Sequence, residues 1–176
     1  MPEALRITLI VIVSLVGFWL LLLLVDVVFV VSYSTIFRKH KRGMSVILYT
    51  KFENMKRIYS VSKQSGVEIK PELFEVLGQI GEKDFDEPGS TIFTKSKNSL
   101  SYLKDEILFA TNSHIDLKNN YEFVVSKNNI DQADYMYRSN VAMYNADVLG
   151  YNYWISFLPC RFVFKILKFQ KKEIIS

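Results

Sequence analysis

An all-α chain, with one membrane-crossing helix near its N-terminus and a helical bundle after it, is predicted by three observations. Ile7 to Val25 is a run of nineteen residues without a charge. Apolar residues recur at spacings of three and four in three later stretches. Acidic residues crowd before Pro88-Gly89, a turn dipeptide that separates the first of those stretches from the others. At 176 residues the chain has room for one domain and an appendage. The divisions expected are 1–37 for the N-terminus and span, 38–43 for a basic juxtamembrane segment, 44–160 for the bundle and 161–176 for a basic-aromatic tail.

The charge-free run covers about 28 Å as a helix, close to the ~30 Å hydrocarbon core of a bilayer. It is longer than the apolar region of a secretory signal and lacks a small-residue cleavage site, so it reads as an uncleaved signal-anchor. Arg38, Lys39, Lys41 and Arg42 follow it, against Arg6 beside Glu3 on the other side. That asymmetry places the N-terminus outside and the remainder in the cytoplasm. Apolar sequence continues to Phe37, about 46 Å of helix from Ile7, so the helix overshoots the bilayer. Asp26 lies within it. An aspartate there either marks a proton or ion path or snorkels toward the interface or a neighbouring copy.

Leu48, Phe52, Met55 and Tyr59 then make a helical stripe, flanked by Ile47 and Ile58, with Lys51, Glu53, Lys56 and Arg57 expected on a wet side. Pro71 either opens a new short helix or kinks the first. Residues 81–91 are expected to form a solvated connection. Calcium binding by Asp84, Asp86 and Glu87 is disfavoured, because Pro88 interrupts the loop and Lys95 stands where an EF-hand needs glutamate. A helix from about Ser90 to Thr111 carries Leu100, Leu103, Ile107 and Ala110 on one face. His40 and His114 lack Cys or His at ligand spacing, so no metal or other cofactor is expected. Cys160 has no disulfide partner within the chain.

The last long stretch repeats Tyr-Asn at Tyr144-Asn145 and Tyr151-Asn152. Val141, Val148 and Ile155 occupy a positions of a coiled-coil heptad, and Tyr137, Tyr144, Tyr151 and Leu158 occupy d. Met143, Leu149, Tyr153 and Trp154 lie off that seam, which predicts a helix touching several neighbours inside a bundle. Asn145 and Asn152 are placed to fix register through hydrogen bonds. Pro159 ends the helix. In the tail, Arg161, Lys165, Lys168 and Lys172 recur at helical spacing among aromatic residues. Either this segment lies in the headgroup region or its apolar side chains plug the bundle.

These features resemble the LemA family. The matching residues are Tyr144, Asn145, Val148, Tyr151, Asn152, Ile155, Phe157 and Pro159, then "FVFKILKFQKKE"; upstream, Leu117, Lys118, Asn120 and Phe123 match in "IDLKNNYEF", and "YSTIF" follows the span. Departures are "TKFENMKRIYS" in place of the family's proline-containing segment, and Leu158 inserted before Pro159. The resemblance implies a bacterial membrane-anchored, antiparallel bundle of three to four helices without established catalytic residues. The function expected is a non-enzymatic scaffold acting by protein partner or self association at the lipid bilayer. The alternative is a signal-transmitting or transport accessory subunit using Asp26. A hydrolase built on Asp134 or Asp147 is a weaker third reading, and nucleic acid is not expected as a partner, since the basic excess sits beside the span and in the tail.

Overall fold

The structure, a computed structural model, describes residues 2–112, 114–156 and 161–175. Among these residues the regular elements are all helical: α1 Glu3–Gln64, α2 Pro71–Gln79, a 3₁₀ turn Glu82–Phe85, α3 Thr91–Thr111, α4 Ile115–Asn119, α5 Tyr121–Ser156 and α6 Arg161–Ile166. The basic residues 38–43 are an uninterrupted part of α1.

Local chemistry accounts for the boundaries. At the end of α1 the Val67 N–H donates to Ser62 O and the Gly66 N–H to Lys63 O, with Gly66 at φ 75°. This paired closure needs a left-handed residue, which glycine adopts without a Cβ clash. Pro71 is the first residue of α2 and does not kink α1. Ser90 caps α3 by accepting from the Phe93 N–H at 3.1 Å, and Asn120 does the same for α5 with the Phe123 N–H at 3.1 Å. The helix of α5 is described through Ser156, so the expected stop at Pro159 lies outside the described residues, as do Phe157, Leu158 and Cys160.

The chain divides into two compact units, Met1–Arg38 with Asn145–Ile174, and Lys39–Tyr144 with Ile175–Ser176. In the first, α1 and the end of α5 run antiparallel, because Phe29 meets Trp154 (ring centroids 5.0 Å) while Tyr33 and Phe37 meet Tyr151 (5.9 and 5.5 Å). Gly150 permits this approach: a Cβ there would lie 2.9 Å from the Tyr33 hydroxyl. The overshoot of the apolar segment therefore has a partner. Its last turns pack on α5, whereas the side chains from Leu5 through Leu21 that are large and apolar are bare. Among the described residues α1 is the one helix long and apolar enough to cross a membrane.

In the second unit, α1 and α3 both run antiparallel to α5. Pairs Lys51–Asp134 and Asn54–Asn129 set the first direction, and Phe93–Tyr137 and Lys104–Asp131 set the second. α1 and α3 thus share a direction, and the α2 crossover returns the chain between them. The core is built from Met44, Leu48, Phe52, Met55 and Ile58 of α1, Phe93, Leu100, Leu103 and Ile107 of α3, and Leu117, Phe123, Ile130 and Tyr144 further on. The connection at 81–91 is not merely solvated, which corrects the expectation. Phe85 is buried against Phe52, and Asp84 anchors it by accepting from the Gly81 N–H and the Ser96 hydroxyl.

Candidate functional site

Two polar constellations stand out, one in each unit. In the second unit a line of hydrogen bonds crosses the apolar core. Asp134 on α5 takes Lys51 of α1 on one carboxylate oxygen and Lys104 of α3 on the other, each at 2.7 Å, and Lys104 also reaches Asp131 at 2.7 Å. Lys51 is 3% exposed, which corrects its placement on a wet face. A buried ammonium is tolerable only when paired, and Asp134 supplies the pair from 83 residues away. Burial acts to raise the Asp134 carboxyl pKa, but the hydrogen bonds from Lys104 and Lys51 outweigh it and hold the group below its usual range. Burial likewise opposes the charge on Lys104, and its bonds to Asp131 and Asp134 still raise its pKa. A carboxyl so neutralised and held ionised is suited to fixing three helices, not to donating a proton.

Further pairs between α1 and α5 flank these ion pairs on either side. Asn129 donates to Asn54 at 3.1 Å, and Asn54 donates to Thr50 O. Asn140 donates to the backbone carbonyl of His40 at 3.1 Å, which turns its own carbonyl oxygen toward the His40 ring at 2.6 Å. That oxygen only accepts, so the ring's Nδ1 carries the hydrogen. A Cβ on Gly43 would stand 2.6 Å from the Asn140 amide nitrogen, so the glycine is what lets α1 and α5 come together here.

In the first unit the second Tyr-Asn pair receives the tail. The Tyr151 hydroxyl donates to Gln170 O at 3.2 Å. Asn152 makes a reciprocal pair with Lys172, its amide donating to Lys172 O and its carbonyl accepting from the Lys172 N–H, both at 2.9 Å. The sequence placed Asn152 beside the seam as a donor to a neighbouring backbone; its partner is the tail backbone at Lys172. Tyr144 is buried and Asn145 half-buried. Val148 and Ile155 are buried, as a heptad demands, but Val141 is only half-buried and Asn140 occupies its place.

The reason lies in the spacing of the buried face: Phe123, Ser126, Ile130, Ala133, Tyr137, Asn140, Tyr144, Val148, Tyr151 and Ile155. The steps alternate three and four until two fours occur in succession around Tyr144, a four-residue insertion in the heptad. Tyr137 is half-buried beneath Lys97 and beside Phe93; its hydroxyl has no hydrogen-bond partner among the described residues, and burial raises its pKa. Off the seam, Trp154 packs on Phe29, whereas Met143, Leu149 and Tyr153 are exposed, so α5 presents one buried face and not several.

Asp26 is 8% exposed although it sits in the apolar part of α1. Arg38, Lys39, Lys41 and Arg42 are exposed, as are Arg161, Lys165, Lys168 and Lys172. No group of three His, Cys, Asp or Glu side chains among the described residues is arranged to hold a metal ion. α6 is shorter than the amphipathic helix expected from the tail. It closes after Ile166 with the Phe169 N–H donating to Phe164 O and the Lys168 N–H to Lys165 O, Lys168 taking φ 57°. Phe164 is buried and stacks edge-on with Phe169 at 5.8 Å, the apolar contact that accompanies this turn. Comparisons with protein-family models, curated proteins and solved structures give no match to this chain.

Proposed function

We propose that this chain is a divergent LemA-type scaffold: a bundle tethered to a bacterial cell membrane by one span, its N-terminus outside, acting in the cytoplasm by self or partner association and not by catalysis. The observation that carries this reading is the division of labour along α1, whose first turns are bare and apolar while later turns bury Lys51 against Asp134. Lys51, Asn54, Asp134 and Asn140 of the core are bonded to other side chains and to backbone, which favours a rigid platform. Phe109, Ile115 and Tyr121, all strongly exposed, flank the α3–α4–α5 connection and offer apolar anchors of the kind interfaces use.

Photo-crosslinking in intact membranes, with the probe at Phe109 or Tyr121 of the full chain, is expected to give a discrete adduct with a second copy or a single partner. Absence of any adduct from either position would contradict the scaffold reading. A second reading is favoured by the burial of Asp26 in an apolar helix, where a titratable group can bias a conformational equilibrium. Under it, Asp26→Asn changes the adduct pattern; an unchanged pattern removes it.

A further inference from the structure

The tail builds a cavity that the scaffold reading does not use. It has a volume of about 390 Å³ and is lined by Arg161, Lys165 and Lys171 with Ser156, over a floor that includes Phe164 and Phe169. None of the three cations has an ion pair among the described residues. Like charges around one small cavity repel unless an anion joins them, so backbone must hold them there. Two devices do so. The left-handed turn at Lys168 reverses the chain after α6, and Asn152 grips the returning segment at Lys172, next to Lys171.

We infer that this cavity binds the phosphate headgroup of an anionic phospholipid, with Arg161, Lys165 and Lys171 on the phosphate oxygens and the glycerol over the phenylalanine floor. Arg and Lys are the side chains that complement a phosphate, one as a planar fork and the other as point charges. The same compact unit contains the bare apolar turns of α1, so the anion supplied beside it is a membrane lipid. The inference rests on the membrane reading for the source of the ligand. Of the side chains expected from sequence to plug the bundle, Ile166 is exposed; Phe164 is buried instead, while the cations stay exposed to headgroups.

The full chain in neutral detergent, titrated with dioctanoyl phosphatidylglycerol and separately with dioctanoyl phosphatidylcholine, tests this without requiring a bilayer. Native mass spectrometry counts the bound lipid. Saturable binding of the anionic lipid is expected, with a preference of about tenfold or more over the zwitterionic one. Lys165→Gln with Lys171→Gln should abolish the preference, while Lys39→Gln with Lys41→Gln, which removes the same charge from exposed positions outside the cavity, should retain it. Equal binding of both lipids, equal loss in both double variants, or equally tight binding of glycerol phosphate without chains would each overturn the assignment. A failure here leaves membrane insertion untouched, since insertion is measured independently by accessibility along α1.

Discussion

At the scale of single residues, Asp134 decides most. It lies where α1, α3 and α5 meet, pairs with a lysine from each of the other two helices, and is the one carboxylate paired with the buried Lys51 among the described residues. Lys51→Ala leaves Asp134 with Lys104 and is expected to destabilise the chain by about 2 kcal/mol, below the usual range for a broken buried pair because the carboxylate keeps one partner. Asp134→Asn leaves the buried Lys51 without a carboxylate, while Lys104 keeps Asp131, and is expected to cost about 3 kcal/mol, measured by thermal unfolding of the detergent-solubilised chain followed by circular dichroism.

The pH dependence of that difference has a definite sign. The fold lowers the Asp134 pKa, so its contribution is complete above the unfolded value of about 3.9 and is lost as pH falls through the lower folded value. The fold raises the Lys104 pKa, so that contribution is complete below about 10.4 and is lost as pH rises through the higher folded value. The gap between wild type and Asp134→Asn should therefore be flat near neutrality and shrink below about pH 4. A gap that instead grows in acid would contradict the assigned ion pairs.

At the scale of elements, helix existence and many boundaries are legible in the chain, because they depend on neighbours a few residues away. Pro71, Ser90 and Gly66 act within one turn of themselves. What is not legible is what crosses between helices. Lys51 reads as solvated until α5 brings Asp134 to it, and Asn140 reads as off-seam until the extra four-residue step rotates the buried face. Phe85 hides in an acidic run whose composition points to water. In the Tyr-Asn motif the spacing identifies Asn152 as a register-setting group, but only the fold shows that it grips Lys172.

Glycines expose the same division between local and long-range causes. Gly43 and Gly78 are both helical, and alanine is intrinsically the better helix former at each by about 1 kcal/mol. At Gly78 nothing lies within 4 Å of an added Cβ, so Gly78→Ala should stabilise by about 0.5 kcal/mol. At Gly43 the added Cβ meets Asn140, already fixed by two bonds to His40. Gly43→Ala should therefore destabilise by about 1 to 2 kcal/mol, the range for overpacking, as read from urea unfolding midpoints. Opposite signs at the two sites are the outcome that distinguishes helix crossing from helix propensity.

For the whole molecule, α1 is the decisive element, the one described helix long and apolar enough to cross a membrane. Ile7 to Val25 has the length of a span and is largely bare, and from Phe29 onward one face of α1 makes aromatic contacts with α5. Both units depend on this one helix, since it supplies the apolar turns of the first and Met44 to Ile58 of the second. Single cysteines at Leu9, Val16, Leu24, Lys39 and Lys63, each in a Cys160→Ser background and reconstituted in vesicles, locate the boundary through their reaction with a membrane-impermeant maleimide. If α1 spans the bilayer, Leu9→Cys, Val16→Cys and Leu24→Cys stay unlabelled until detergent is added, and Lys39→Cys and Lys63→Cys label readily from one side only. Labelling of Val16→Cys in intact vesicles as fast as Lys63→Cys would contradict the span.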